Sequence, residues 1–459
     1  MLLPVTAGIN NEGRITIGGC DTGDLKSGYG TPLYIMDIAT VKMQCEKYIN
    51  SFAFKDFESE IIYASKAFCS LAMCQLVKQQ GLSIDVSTGG ELFIAIRSGF
   101  DPGKIYFHGN NKSADEINFG IDYKVGTFIV DSFEELEAVN EIAGQKECIQ
   151  KIMLRITPGI KAHTHKYIQT GAIESKFGFG IQSGIALEAV KKAADLENIK
   201  LIGVHAHIGS QIFNIEVYDS LIDVMTSFMA EASKKTGASL NHLNIGGGLG
   251  IKYMPDDRPA SIEDFAELVH NALLKYTKKN DIKIEKIYLE PGRSIAGNAG
   301  TTLYEAGTIK EIPQIKNYIA IDGGMSDNIR PVLYQAKYNA FIAGRASYLG
   351  EIKDGEAVGG ASPAGSTSTL ANFNEKKYNI VGKHCESGDV IIEDIMLPEA
   401  RKGDLLLVAA TGAYCYSMSS NYNGQPKSAV VAVEDGKSWV WVDRQSYEDL
   451  YMRDRKLYE

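Results

Sequence analysis

The sequence predicts an α/β fold, a (β/α)8 barrel of the TIM type joined to a second, mostly β domain, and three observations predict it. Eight short apolar runs recur at residues 61–66, 82–86, 105–109, 127–131, 152–156, 201–207, 243–246 and 287–290, each bounded by polar sequence as buried strands are. Helix-start chemistry or amphipathic helical runs lie between several of them. Beyond about residue 300 the texture turns to strand-like sequence. Eight strands alternating with helices over roughly 250 residues match the size and rhythm of a closed barrel. A doubly wound open sheet would share the alternation, but it usually carries a GxGxxG fingerprint, and the glycine cluster at 246–250 lacks that spacing.

Taken in order, residues 1–43 read as short strands and turns, punctuated by Gly18-Gly19 and Gly28-Tyr29-Gly30 before the apolar run Leu33-Tyr34-Ile35-Met36. This segment does not read as a helical layer, and it is grouped with residues 300–459 in the β domain. The barrel is assigned to residues 44–299. Within it, Ser113-Ala114-Asp115-Glu116 and Ser132-Phe133-Glu134-Glu135 both have the spacing of a capping box. Leu92–Ile96 and Phe265–Val269 carry amphipathic helical patterns. In the β domain, residues 318–321, 389–392, 405–408 and 428–433 read as strands, and the Gly-, Ala-, Ser- and Thr-rich stretch 355–374 reads as a mobile surface loop.

Composition narrows the partners. The 459 residues are 44% hydrophobic, enough for two large cores, and carry a net charge of −10 with a pI near 5.5. Such a balance disfavours nucleic acid and anionic membrane as general partners and favours small molecules. No apolar span approaches the roughly 18 residues of a membrane helix, and the start Met1-Leu2-Leu3-Pro4-Val5 lacks the basic region of a secretion signal. The seven cysteines, at 20, 45, 69, 74, 148, 385 and 415, form no CxxC pair. A reduced, cytoplasmic setting is the expectation.

In a barrel of this type the chemistry sits where the strands end. The first strand delivers Lys66. A strand-end lysine ordinarily just reaches for water, but a partly desolvated one can form a Schiff base with a carbonyl cofactor. Asp85 ends the second strand, and His108-Gly109-Asn110-Asn111 the third. The sixth ends on His205-Ala206-His207-Ile208-Gly209-Ser210, the seventh on Gly246-Gly247-Gly248, and the eighth on Glu290-Pro291-Gly292-Arg293. Successive glycines let backbone N–H groups approach an anion, as in a phosphate cradle, and the Ser210 hydroxyl could reach the same phosphate. Buried Glu290 needs a positive partner, either a protonated pyridine nitrogen or an arginine such as Arg293. His205 and His207 alternate along a strand, but no acidic or cysteine ligand accompanies them at a known metal spacing, so no metal is expected. A flat imidazole stacked on a cofactor ring accounts better for His207. Lysine, phosphate cradle, stacking histidine and acid together describe a pyridoxal phosphate site.

At this point the chain resembles the barrel-type pyridoxal phosphate-dependent decarboxylases over nearly its whole length. The resemblance rests on Tyr63-Ala64-Ser65-Lys66-Ala67, Asp85-Val86-Ser87-Thr88-Gly89-Gly90-Glu91-Leu92, Ser175-Lys176-Phe177-Gly178, the strand-end segments above, Arg330-Pro331-Val332-Leu333-Tyr334, Cys385-Glu386-Ser387-Gly388-Asp389 and Gly412-Ala413-Tyr414. It implies that Lys66 holds pyridoxal 5'-phosphate, that Asp85 and Pro291 belong to the cofactor's surroundings, and that His207 stacks on its ring. It implies that Ser210, Gly248, Gly292, Arg293 and Tyr414 hold the phosphate and that Glu290 meets the ring nitrogen. It also implies a homodimer in which Cys385, the proton donor, and Glu386 complete the partner's site.

The matched positions Arg293 and Arg330 point to a substrate with a second carboxylate, because a guanidinium grips a carboxylate by paired hydrogen bonds. Glu386 and Tyr334 suit a distal ammonium, and Tyr414 lines the same pocket. The expected reaction takes meso-2,6-diaminopimelate to L-lysine and carbon dioxide, the last step of lysine biosynthesis. The rivals are a decarboxylase of D-ornithine, D-lysine, L-ornithine or arginine, a racemase on the same barrel, and a decarboxylase-like regulator without chemistry.

Overall fold

The computed structural model describes residues 1–160, 175–359 and 375–457. The chain packs into two compact units: Gln44–Ile251 with Arg258–Ser294, and Met1–Met43 with Lys252–Asp257 and Ile295–Glu459.

Among the described residues of the first unit, eight parallel strands close into a barrel. They are β1 (Glu58–Ala64), β2 (Ser83–Val86), β3 (Ile105–Phe107), β4 (Thr127–Val130), β5 (Gln150–Thr157), β6 (Ile199–His205), β7 (His242–Asn244) and β8 (Lys286–Leu289). Each pairs with the next, and β8 returns to β1 with Leu289 opposite Ile61. The strands are buried on both faces, which is why they read as continuous apolar runs rather than alternating ones. Inside the ring, Ile62, Tyr106, Ile129, Met153 and Tyr288 form one packed cluster. Several strands stop short of their apolar runs, so Lys66, His207 and Gly246 lie just past strand ends in the loops where a barrel carries its chemistry.

Helices follow the strands, among them α1 (Leu71–Gln79), α2 (Gly89–Arg97), α3 (Ala114–Asp122), α4 (Phe133–Gln145), α5 (Ile185–Asp195), α6 (Val217–Thr236) and α7 (Ile262–Lys279). The two expected capping boxes part ways. At α3 the box is complete: Ser113 Oγ accepts from the Glu116 N–H, and the Glu116 carboxylate accepts from the Ser113 N–H. At α4 Ser132 caps as expected, but Glu135 turns inward. Its Oε2 accepts from the Asp131 N–H at 3.0 Å and its Oε1 takes Lys112 Nζ at 2.6 Å. The side chains of this pair are 1% and 4% exposed, and a buried cation outweighs a return bond to the cap. Lys112 spends its two further hydrogens on the Gly109 and Ile129 carbonyls, each at 2.9 Å.

The second unit is built on the 13-residue strand Gly300–Ile312. Its first half pairs with Leu33–Asp37 on one side and Leu405–Val408 on the other, and its second half pairs with Lys316–Ile321. Leu33–Asp37 also runs parallel to Ala429–Glu434. The reading of residues 1–43 as short strands and turns is corrected in part. Thr22–Tyr29 is helical because the Asp21 side chain caps the Gly23 and Asp24 N–H groups, and Gly30 at φ 70° ends it. The Gly28-Tyr29-Gly30 punctuation is thus largely inside and after a helix. The second turn of chain toward the barrel, Ile38–Ser51, is helical as well. Of the stretch read as a loop, Glu356–Gly359 is a strand paired with Gly350–Lys353, and residues 360–374 lie outside the described residues.

Breaking the buried pair leaves an uncompensated charge. Lys112→Met is expected to lower stability by about 3–5 kcal/mol, while adding Glu135→Leu restores part of the loss. Urea unfolding of both variants checks it, and equal losses for single and double would contradict the pairing.

Candidate active site

The last barrel strand presents Glu290, 7% exposed, to the inside of the ring. Three other strands each supply a donor to its carboxylate. His108 Nε2, after β3, lies 2.8 Å from Oε1, and Asn244 Nδ2, on β7, donates to the same oxygen at 2.7 Å. His205 Nε2, on β6, is 3.2 Å from Oε2. Burial alone would raise this carboxyl, but the two imidazoles and their hydrogen bonds hold it well below the usual range. Burial in turn holds the imidazoles down, His205 to about 4. The set is therefore a carboxylate cradled by neutral N–H donors. The arginine partner considered from sequence does not take this place; the Arg293 guanidinium goes to Ser210.

The ligand atoms of His108, His205 and Glu290 lie within 4.8 Å of one another, a spacing a metal ion could use. In the structure both carboxylate oxygens face side-chain nitrogens, Oε1 those of His108 and Asn244 and Oε2 that of His205.

Lys66 is exposed in the single turn Ser65–Ala67 that follows β1. Asp85 lies beside it, buried, accepting from the Ser65 N–H at 3.2 Å. Burial and the Glu290 charge push the Asp85 carboxyl well up, and the Lys66 charge opposes them. Glu91, at the start of α2, is likewise raised by burial and lowered by Lys66. The His207 imidazole is held well below its ordinary value by burial and then by Lys66. The first strand thus puts one amine among two acids and an imidazole.

The glycines after β7 have a packing reason besides any ligand. A Cβ on Gly247 would meet the Glu290 carbonyl at 2.0 Å, and one on Gly248, at φ 122°, would meet the Gly209 carbonyl at 2.4 Å. Tyr218 pins the turn by donating to the Gly247 carbonyl at 2.9 Å. The end of β8 is tied to the end of β1 by the Ala64 N–H on the Pro291 carbonyl at 3.0 Å, with Gly292 against Ala64. Next to these turns, buried Arg293 donates from Nη2 and Nε to Ser210 Oγ at 2.7 and 3.2 Å. A buried guanidinium, a hydroxyl and a glycine turn fit a phosphate, and a buried carboxylate held by neutral donors fits a ring nitrogen that carries a proton.

The second unit gathers the other candidates into two groups. Arg330 opens the short helix Arg330–Tyr334 and is 7% exposed. Its Nε donates to Tyr338 Oη at 2.9 Å, and its guanidinium lies over the rings of Tyr334 and Tyr414, 5.4 and 5.2 Å from their centroids. Tyr414 sits at φ 68°, a left-handed conformation that a non-glycine residue adopts only where its surroundings impose it. Cys385 and Glu386 lie elsewhere, both exposed, on a loop organised by Asp389. That carboxylate accepts from the Met325 N–H at 2.6 Å and the His384 N–H at 2.9 Å, and pairs with His384 Nδ1 at 2.7 Å. Asn423 Oδ1 takes the Cys385 N–H at 2.9 Å.

Sequence reasoning passed over Asn244 and Tyr338 as site residues and left His205 without its partner. Asn244 was within reach, because it ends a strand beside the glycines. Tyr338 has no local signal; folding alone brings it to Arg330.

Known proteins share this sequence and this fold. Residues 38–297 match the family model described as pyridoxal-dependent decarboxylase, pyridoxal binding domain. The diaminopimelate decarboxylase of Halalkalibacterium halodurans is 42% identical over 98% of both chains, and that of Bacillus subtilis 41% identical over 99% of this chain and 98% of its own. Among solved structures, diaminopimelate decarboxylase of M. jannaschii in complex with L-lysine superposes with a TM-score of 0.88 at 34% identity, covering 99% of both chains.

The buried histidine makes a pH prediction. Held at about 4 when folded and about 6.5 when unfolded, His205 binds protons more weakly in the native state. Its contribution is full above about pH 6.5 and is lost as pH falls toward 4, on the order of 3 kcal/mol. Depressed Glu290 adds loss in the same direction at lower pH. Urea midpoints measured between about pH 7 and about pH 4.5 should fall more steeply for the native protein than for His205→Asn; parallel slopes would contradict this.

Proposed function

The chain belongs to the pyridoxal-dependent decarboxylases, within them to the diaminopimelate decarboxylases, and on that footing we propose that it converts meso-2,6-diaminopimelate to L-lysine and carbon dioxide with pyridoxal 5'-phosphate as cofactor. The observation that carries the reading is the anionic Glu290, buried among neutral donors at the end of β8 with Lys66 at the end of the adjoining β1.

Pyridoxal phosphate supplies a carbonyl carbon for the substrate amine and a ring that takes up the electron pair left at Cα when carbon dioxide departs. Lys66 Nζ would hold that carbonyl carbon. Glu290, kept ionised by its three donors, would keep the proton on the ring nitrogen. Asp85, Pro291 and His207 would form the surroundings of the ring. Ser210, Arg293, Tyr414 and the backbone at Gly248 and Gly292 would hold the phosphate. Arg330, fixed by Tyr338 and flanked by two tyrosine rings, binds the distal carboxylate, with Arg293, Tyr334, Tyr414 and Glu386 completing the substrate pocket.

Cys385 returns a proton to Cα. Its exposure, and that of Glu386, on a braced loop suits residues that work in the site of a second copy of the chain, so the active form is a homodimer with shared sites. The setting is a reducing cytoplasm, which suits seven free cysteines. Among the described residues, no helix is long and apolar enough to cross a membrane.

Carbon dioxide release from meso-2,6-diaminopimelate, with lysine formed and dependence on added cofactor, tests the reaction; release from ornithine or arginine alone would overturn the substrate. Lys66→Ala is expected to lose nearly all activity. Arg330→Ala should lower kcat/KM by about 100-fold, chiefly for the dicarboxylate substrate. Mixing inactive Lys66→Ala with inactive Cys385→Ala should restore about a quarter of native activity, because half the dimers then carry one intact site. No recovery on mixing would sink the shared site.

A further inference from the structure

At the N-terminal ends of the strands, opposite Lys66, the barrel opens into a cavity of about 1020 Å³. Its depth is set by the packed cluster of Ile62, Tyr106, Ile129, Met153 and Tyr288. Side chains along a strand repeat their direction every second residue, so the residue two places earlier on each strand faces the same interior. Those places hold Glu60 on β1, Lys151 on β5 and Lys286 on β8, with Lys104 just before β3; all line the cavity, as do Lys200 on β6 and His242 on β7.

Charge in this ring is unbalanced. Glu60 is already committed: its Oε2 is 2.5 Å from Lys286 Nζ, and its Oε1 accepts from Tyr106 Oη at 3.0 Å and from Ser83. Glu285 at the rim pairs with Lys283. His242 Nδ1 is engaged with Tyr288 Oη at 2.5 Å. Three cations remain. Among the described residues Lys104 Nζ hydrogen-bonds the Gly81 carbonyl, at 3.5 Å, and forms no salt bridge. Lys151 and Lys200 are directly opposed on adjacent parallel strands, and among the described residues neither forms a salt bridge. Like charges opposed across strands are destabilising. The acids lining this mouth are Glu60 and Glu285, with Glu58 nearby; Glu60 and Glu285 are paired with Lys286 and Lys283, and among the described residues none of the three forms a salt bridge with Lys104, Lys151 or Lys200.

We propose that the mouth binds a small multivalent oxyanion, a molecule carrying two or more phosphate or carboxylate groups, held by Lys104, Lys151 and Lys200. The anion relieves the repulsion between the opposed lysines, and the aromatic floor of Tyr106 and Tyr288 leaves room for an apolar body behind its charged groups. Binding to the closed barrel and not to the unfolded chain stabilises the fold.

Calorimetric titration of the cofactor-loaded enzyme, whose own phosphate site is filled, tests this with inorganic pyrophosphate and with citrate, against sodium chloride at equal ionic strength. The expected result is saturable binding of one or both probes, one per chain, with a rise in Tm, and an affinity at least tenfold weaker in Lys151→Met/Lys200→Met. Pyrophosphate alone marks a phosphate ligand, citrate alone a polycarboxylate, and both a site that reads charge. Should the double variant fail to fold, Lys104→Met carries the same comparison. Heats no larger than those of sodium chloride, or unchanged affinity in the lysine variants, overturn the proposal.

Discussion

One carboxylate constrains the barrel. Glu290 is buried as an anion, and an anion inside a protein is tolerated only where donors replace its water. Here the donors come from three different strands, His108 after β3, His205 on β6 and Asn244 on β7, so the register of half the barrel is fixed by a single charge on β8. The Glu290 N–H also bonds to the Gly246 carbonyl, and Asn244 Oδ1 takes the Gly246 N–H. The glycine turn and the acid are therefore parts of one hydrogen-bonded unit. Displacing either would misplace the other.

How much of this could be read in the chain depended on the length scale of each signal. The barrel was legible because its strands are buried on both faces and their apolar runs need no partner to be recognised. Lys66, Glu290 and the glycines were legible because a strand end is a local feature. What Glu290 touches was not, since His108, His205 and Asn244 stand 182, 85 and 46 residues away along the chain and meet only on closure of the ring. Glu135 shows the same limit in a local motif: the capping-box spacing was present, but a buried lysine from 23 residues upstream took the carboxylate. The helix Thr22–Tyr29 was missed for the opposite reason. Two internal glycines hide it from pattern, and only the Asp21 cap reveals it.

The two groups in the second unit differ in how they are held. Arg330 is enclosed by tyrosines and hydrogen-bonded, which leaves its guanidinium one orientation. Cys385 and Glu386 stand in solvent on a loop whose backbone is braced by Asp389 and Asn423. A loop braced in this way holds its exposed side chains in place without further ordering of its backbone.

The path of the chain through its own sheets has a consequence for synthesis. Leu33–Asp37 is made among the first residues, yet its neighbours are Gly300–Ile312 and Ala429–Glu434, and β1 has no partner on one side until β8 is made. Contacts spanning nearly the whole chain are slow to form and leave strand edges open meanwhile. Growing from the ribosome, this protein must carry its opening strand unpaired until residues 300–303 emerge, and open on one edge until 429–433 do, so the barrel has all its strands first and the unit that holds the chain's beginning is completed last.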